Sequence, residues 1–293
     1  MDTTLGAQAP VRTGSAASAA RRLADEACRT AGIRLTAADD APACERVMDV
    51  MGRIWGWARP QFETPIAVAL AHGGNFIATV ETPDGRPIGA AMGMCGPPGR
   101  AFHSHIVGLL PTMTGRGMGR AVKLAQRAWC LERGIDTMTW TFDPLVARNA
   151  FFNIRRLDAS AVEYLPDFYG PMTDAINAGQ GSDRLLMQWR LDAEPPRATR
   201  PEPVLHDAVH AVADVAGEAS DFLPPPAGAS LALVDVPGDI ETIRRDDGAR
   251  ARRWREQTGL ALRELTSRGW VIDDLARRGD AGVQYVLRRE GAL

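Results

Sequence analysis

An excess of charge of either sign is missing from this sequence: 34 Lys and Arg stand against 36 Asp and Glu, a net charge of −2. Proteins that track nucleic acid or an anionic membrane carry a basic surface, so neither partner is expected. Long hydrophobic runs are missing as well, and none approaches the roughly eighteen apolar residues of a membrane-crossing helix. The first residues also lack the charged-then-apolar order of a secretory signal, so the expected compartment is cytoplasmic. Cysteine is scarce. Cys28, Cys44, Cys95 and Cys130 stand singly, without metal-ligand spacing, and read as free thiols with no metal. What is present is a 45% apolar content, enough for a substantial core. Abundant Ala, Arg, Gly and Pro is the composition of a high-GC bacterial genome.

The informative stretch runs from Phe102 to Leu157. Ile106-Val107-Gly108-Leu109-Leu110-Pro111 has the length and content of a buried strand. Thr114-Gly115-Arg116-Gly117-Met118-Gly119 follows. Met118, Ala121, Val122, Ala125, Ala128 and Trp129 then recur at helical spacing, with Arg120, Lys123, Gln126 and Arg127 on the other faces. A strand, a glycine loop and a helix leave backbone N–H groups unshielded at a helix N-terminus, where the dipole adds positive charge. That suits a pyrophosphate. A P-loop would need a Lys-Ser/Thr pair where Arg120-Ala121 stands. A dinucleotide fingerprint would need other glycine spacing and a preceding βαβ unit, although the strand Thr137–Phe142 does end at an acid, Asp143.

These residues resemble the GNAT superfamily of acyl-CoA-dependent N-acyltransferases. Leu109-Leu110-Pro111 with Thr114 to Gly119 is similar to that family's pyrophosphate loop, (Arg/Gln)-x-x-Gly-x-(Gly/Ala), read after a Val-x-Pro strand end. Arg148-Asn149-Ala150-Phe151-Phe152-Asn153-Ile154-Arg155-Arg156-Leu157 resembles the family helix Asn-x-x-Ala-x-x-Leu-Tyr-x-x-Leu-Gly-Phe. The resemblance spans residues 33–192 and departs in three places. Thr114 replaces Arg or Gln, Asp158-Ala159 replaces Gly-Phe, and Ile154 sits where many members carry the tyrosine that protonates the departing thiolate. The resemblance implies an α/β (α+β) GNAT fold, a mixed central sheet flanked by helices. It also implies acetyl-CoA or another acyl-CoA as co-substrate, without a metal. The implied contacts are Leu109, Leu110, Thr112, Thr114, Gly115, Arg116, Gly117, Met118, Gly119 and Arg120 around the pyrophosphate, with Asn149, Phe152 and Asn153 along the pantetheine arm.

Along the chain, residues 1–15 read as a disordered tail and 16–193 as the acyltransferase domain. Ser15 to Thr30 and Pro42 to Trp57 read as helices, with Trp55 and Trp57 as core rather than substrate platform. Gly89, Gly93 and Gly96 mark bulges or a close ligand approach in the strand after the hairpin turn. Residues 194–229 read as a proline-rich linker with a short helix at Val204–Val215. Residues 230–293 read as an additional C-terminal β-α-β-β unit packed on the main domain, with one helix from Asp239 to Ser267.

His103-Ser104-His105 lies on the central strand, and strict alternation directs both histidines to one side. Counting back from the loop, His103 falls where histone-acetylating members of the family place a glutamate base. A histidine near its free pKa takes a proton from an ammonium at neutral pH. Glu81 is the next candidate base. Tyr169 and Tyr164 are the remaining candidate acids, and the catalytic set is His103, His105 and Tyr169. The implied mechanism is direct attack of an acceptor amine, with the oxyanion on a backbone N–H near Leu109 or Leu110. The expected partner is a small-molecule acceptor, and a homodimer with a second copy of the chain is left open. Other acyl-CoA chemistry (O-acyl transfer or decarboxylation of a thioester) and a non-catalytic acyl-CoA-binding module are the alternatives.

Overall fold

The computed structural model describes residues 14–57, 63–97, 101–113, 116–171, 181–193 and 201–289. It divides into two compact units, residues 1–140 with 190–194 and residues 141–189 with 195–293. Among the described residues no helix is long and apolar enough to cross a membrane.

The first unit runs α1 (Ser15–Ala31), β1 (Arg34–Ala37), α2 (Ala41–Trp55), α3 (Thr64–His72), β2 (Phe76–Glu81), β3 (Pro87–Cys95), β4 (Phe102–Leu109), α4 (Met118–Glu132) and β5 (Thr137–Phe142). The last two residues of β5 belong to the second unit. The strands lie in the order β1-β2-β3-β4-β5, antiparallel except for the parallel pair β4/β5, so the sheet is mixed. Asp40 starts α2 by accepting the Ala43 N–H at 2.8 Å, and Gly56 ends it in the left-handed region at φ 63°. Between those signals Cys44, Val47, Met48 and Met51 recur at helical spacing and pack on Ile77, Ala90 and Met92 of the sheet.

Trp55 and Trp57 stack at 5.7 Å against this core, as expected. The glycines of the central strands make room for rings and side chains. A Cβ on Gly108 would run into the Trp55 indole, one on Gly93 into the Phe102 ring, and one on Gly89 into Leu109. Gly108→Val should therefore cost about 1–3 kcal/mol by overpacking, read as a lower urea midpoint with an unchanged slope. The register shift between β3 and β4 falls where Met92 pairs with Ile106 and Met94 with His103, so β4 carries an extra residue around Ser104-His105.

In helix α4, Lys123, Gln126 and Arg127, polar residues placed on faces other than the apolar one, are buried. Lys123 and Gln126 turn toward the sheet, onto Ser104 of β4, while α1, whose small face of Ala17, Ala20 and Ala24 is buried, lies along α4 and is tied to it by Arg21 and Glu132 at 2.7 and 2.8 Å. Arg127 instead donates to the Ala193 carbonyl at 3.2 Å.

The second unit contains α5 (Ala147–Phe151), continued by one π-helical turn at Phe152–Arg156, then β6 (Ser160–Leu165) antiparallel to β7 (Arg184–Arg190). There follow β8 (Val209–Val212), β9 (Asp214–Val215), β10 (Glu218–Ala219), β11 (Leu231–Pro237), α6 (Ile240–Asp246), α7 (Gly248–Ser267), β12 (Trp270–Arg277) and β13 (Gly282–Arg289). The β-α-β-β order of the C-terminal segment is as expected. Its sheet, however, is four-stranded in the order β12-β13-β11-β8, and the helix expected at Val204–Val215 is strand β8 with the start of a β9/β10 hairpin. Val209, Ala211 and Val212 are β-prone, and pairing beside β11 overrides a weak helical pattern. The single helix expected over Asp239–Ser267 is two, because Asp247 leaves helical geometry at φ −146° and caps α7 through the Arg250 N–H.

A domain edge at 193 also gives way to a different division. Residues 141–189 fold together with 201–289, as Tyr285 donates to the Pro144 carbonyl at 2.7 Å and Arg155 meets both oxygens of Asp274 at 3.1 Å. Asp158 adopts φ 57°, a backbone that glycine tolerates best and aspartate better than most residues. This explains how it replaces the glycine of the family pattern.

Candidate functional site

In the first unit β4 ends at Leu109, a 3₁₀ turn spans Pro111–Met113, and α4 starts after Gly117. Thr114 and Gly115 lie outside the described residues. Gly117 holds φ 75°, and a Cβ on it would meet nothing within 4 Å, so conformation rather than crowding requires glycine there. Among the described residues no side chain caps α4, and the N–H groups of Met118 and Gly119 precede its first i→i−4 bond. Thr112, Arg116 and Gly117 are exposed, Gly119 and Arg120 half-buried, and the Met118 side chain is core. An uncapped helix start, a left-handed glycine and open space above it fit a pyrophosphate.

Leu110 donates its N–H to the Ile88 carbonyl at 2.8 Å, which engages one of the two amides expected to face an oxyanion. Antiparallel alternation then turns the Leu109 N–H away from β3. Among the described residues, ladder pairing between β4 and β5 comprises Phe102 with Met138 and His103 with Thr139, although β4 continues to Leu109.

The rings of His103 and His105 lie 6.1 Å apart, so the extra residue in β4 leaves them neighbours. His103 Nδ1 is 3.1 Å from Thr139 Oγ1. Burial, then His105 and Lys123, hold the His103 pKa below the ordinary histidine value, and burial does the same for His105. Both imidazoles are neutral at pH 7. Glu81 is a weaker base than an ordinary carboxylate. Burial would raise its carboxyl, but hydrogen bonds from Arg34 (2.9 Å), Thr36 (2.9 Å) and Thr79 (3.1 Å) outweigh that and hold it ionised.

Behind β4 lies a buried polar cluster that no motif announces. Lys123 donates to Ser104 Oγ at 2.9 Å, Ser104 donates to Gln126 Oε1 at 2.9 Å, and the ammonium stands 4.0 Å from the Trp140 ring centroid. Burial lowers the Lys123 pKa to about 7. Lys123 is the only lysine in a chain that otherwise uses arginine, and that rarity was the available signal. An arginine could not shed its proton there.

The remaining expected residues belong to the second unit. Asn149 is exposed on α5, Phe152 half-buried, and Asn153 buried in the π turn together with Ile154. The Tyr169 hydroxyl lies 3.0 Å from Thr141 Oγ1, and the Arg184 guanidinium stands over its ring at 5.3 Å. Tyr164 is half-buried and hydrogen-bonded to Asp183, and desolvation and that bond push its pKa far up, so it is a poor acid.

No protein-family model and no curated protein sequence matches the chain. Its fold is similar to those of solved GNAT-family acetyltransferases. One is a phosphinothricin acetyltransferase from Sinorhizobium meliloti in complex with acetyl-CoA (16% identity, TM-score 0.44, 58% of this chain and 96% of that one). Another is the ribosomal-protein-S18-alanine N-acetyltransferase from Escherichia coli (15%, 0.42, 55% and 96%). A third is a GNAT-family acetyltransferase from Elizabethkingia anophelis with acetyl-CoA bound (7%, 0.42, 54% and 98%).

Proposed function

We propose that this chain is an acyl-CoA-dependent N-acyltransferase that moves an acetyl or other short acyl group to the amine of a small molecule. The observation that carries the reading is the turn into α4, with Gly117 at φ 75° and an uncapped helix start. Its amides and dipole supply the positive field a pyrophosphate needs. In this reading His103, held neutral, takes the proton of the acceptor ammonium as the amine attacks the thioester. The Leu109 N–H donates to the developing oxyanion, a contribution of commonly about 3–4 kcal/mol in preorganised sites. Of the other positions considered for an acid, Ile154 stands at the usual tyrosine position and is core, and Tyr164 is engaged by Asp183.

Two variants at one position test the binding step. Gly117→Ala bears only the cost of a left-handed non-glycine residue, about 1–2 kcal/mol, and should keep acetyl-CoA binding within a small factor. Gly117→Glu has the same backbone cost but places a carboxylate where the phosphates sit, and should abolish binding in calorimetric titration. Equal affinities for the parent and Gly117→Glu would remove the assignment. Release of free thiol from acetyl-CoA should depend on added amine; release of CO₂ from a malonyl thioester without amine and without free thiol would point to decarboxylation instead.

A further inference from the structure

We propose that Lys123 is a positioning residue for His103, its ammonium bridging β4 and β5 from the far face of the sheet at the rung where their pairing stops. This inference deepens the acyl transfer reading and rests on it for the role of His103 as base. Among the described residues, the β4/β5 ladder ends at the pair His103 and Thr139. On one face that rung is closed by His103 Nδ1 and Thr139 Oγ1, 3.1 Å apart. The next residue of each strand, Ser104 and Trp140, turns to the other face, and there Lys123 meets both. Its ammonium donates to Ser104 Oγ at 2.9 Å and stands 4.0 Å from the Trp140 ring centroid. Ser104 also falls within the stretch of β4 where pairing with β3 skips from His103 to Ile106. Backbone pairing is thus thin on both sides of Ser104, and a side chain from α4 holds it instead.

The bridge is buried, with Lys123 5% exposed, and Ser104 passes its own proton to Gln126 Oε1 at 2.9 Å. Among the described residues no carboxylate pairs with the ammonium. Helix α1, which lies along α4, buries Ala17, Ala20 and Ala24 and commits its Arg21 to Glu132. Burial, above all, keeps the nearby Cys130 thiol protonated. A methionine would fill the same space without the bridge, so packing alone does not call for lysine. The ammonium also acts on His103 through space. Burial, then His105 and Lys123, lower the His103 pKa, while β3 opposes it with the uncharged Met94. Burial lowers the Lys123 pKa only to about 7, so the ammonium still carries its proton where His103 titrates. The shift of His105 has burial as its cause, without a contribution from Lys123.

The decisive test needs no substrate. Lys123 is the only lysine, so isotope-labelled lysine in the full chain gives one side-chain NMR signal, which should titrate with a midpoint of about 7. Lys123→Met should raise the His103 midpoint, read from its imidazole Cε1–H, and leave that of His105 in place. A general loosening of the site would move both, so equal shifts, or no shift of His103, would overturn the inference. Ser104→Ala keeps the charge but removes its acceptor, and should lower the lysine midpoint. That variant decides the matter if Lys123→Met does not fold, and an unchanged lysine midpoint would then overturn the bridge. In turnover, Lys123→Met should reduce kcat by up to about 100-fold with acetyl-CoA affinity nearly unchanged, and the ascending limb should move up with His103. An undiminished kcat would overturn the positioning role. Shifted titrations without amine-dependent turnover in the parent would uphold the bridge and remove the acyl transfer reading instead.

Discussion

Asp143→Asn should lower the stability of the second unit by about 3–5 kcal/mol, the usual cost of removing one partner from a buried ion pair. Asp143 is a buried carboxylate bridging Arg244 and Arg255, and neither arginine can neutralise itself when the charge is withdrawn. The amide keeps the shape and can still accept the Leu145 N–H, so the loss reports charge rather than volume. Because the chain has two units, a single unfolding free energy is not well defined. Hydrogen exchange should therefore be followed separately, with peptides from β11 to β13 losing protection and peptides from β1 to β3 keeping it.

The pH dependence has a definite sign. Burial would raise the Asp143 carboxyl, but Arg255 and Arg244 outweigh it and hold it below the ordinary aspartate value. A carboxyl with a lowered folded pKa contributes fully above its unfolded value, about 3.9, and loses that contribution as pH falls through the folded value. Parent and Asp143→Asn should thus differ most near neutrality and converge below pH 4. A constant difference down to acid pH would mean that packing, not charge, is what Asp143 provides.

The same residue marks how far sequence reasoning reached. Asp143 was legible as an acid at a strand end, but its arginine partners lie on α6 and α7, in a segment read as an appended unit. Local signals are read well: helix α2, read as Pro42 to Trp57, the hairpin, and the glycine turn into α4 are all written within a few residues. What escaped depends on distant neighbours. Lys123 and Gln126 follow a pattern that suits a surface helix, and it is Ser104, on a strand far back in the chain, that takes them inward. Val209–Val212 is ambiguous alone and becomes a strand through its pairing with β11. The two histidines obey alternation only in outline, because an extra residue enters β4 between them, and a bulge has no reliable local signature there. Glu81 looked available as a base because Arg34 and Thr36, which engage it, stand on another strand.

His103→Ala should reduce turnover by about 10²–10⁴-fold, the usual contribution of a general base, while acetyl-CoA affinity barely changes. The base must present an unprotonated nitrogen. If Nδ1–H donates to Thr139 Oγ1, 3.1 Å away, then Nε2 keeps its lone pair and faces away from that bond. Burial, aided by His105 and Lys123, lowers the His103 pKa, so the neutral, competent form already dominates at pH 7. The ascending limb of kcat/KM against pH should accordingly lie below the ordinary histidine value of about 6.5 and vanish in His103→Ala. An alkylamine acceptor titrates far higher, near 10 as lysine does, so its own limb is separable when the same acceptor is used throughout. Thr139→Val should cost less than His103→Ala, because it frees the tautomer without removing the base, and it should shift the limb rather than abolish it. His105→Ala should act mainly on the acceptor's KM. If His103→Ala keeps both its turnover and its acid limb, the proton leaves by another route. Glu81, whose carboxyl is held below the ordinary glutamate value by Arg34, Thr36 and Thr79, would serve that route only weakly.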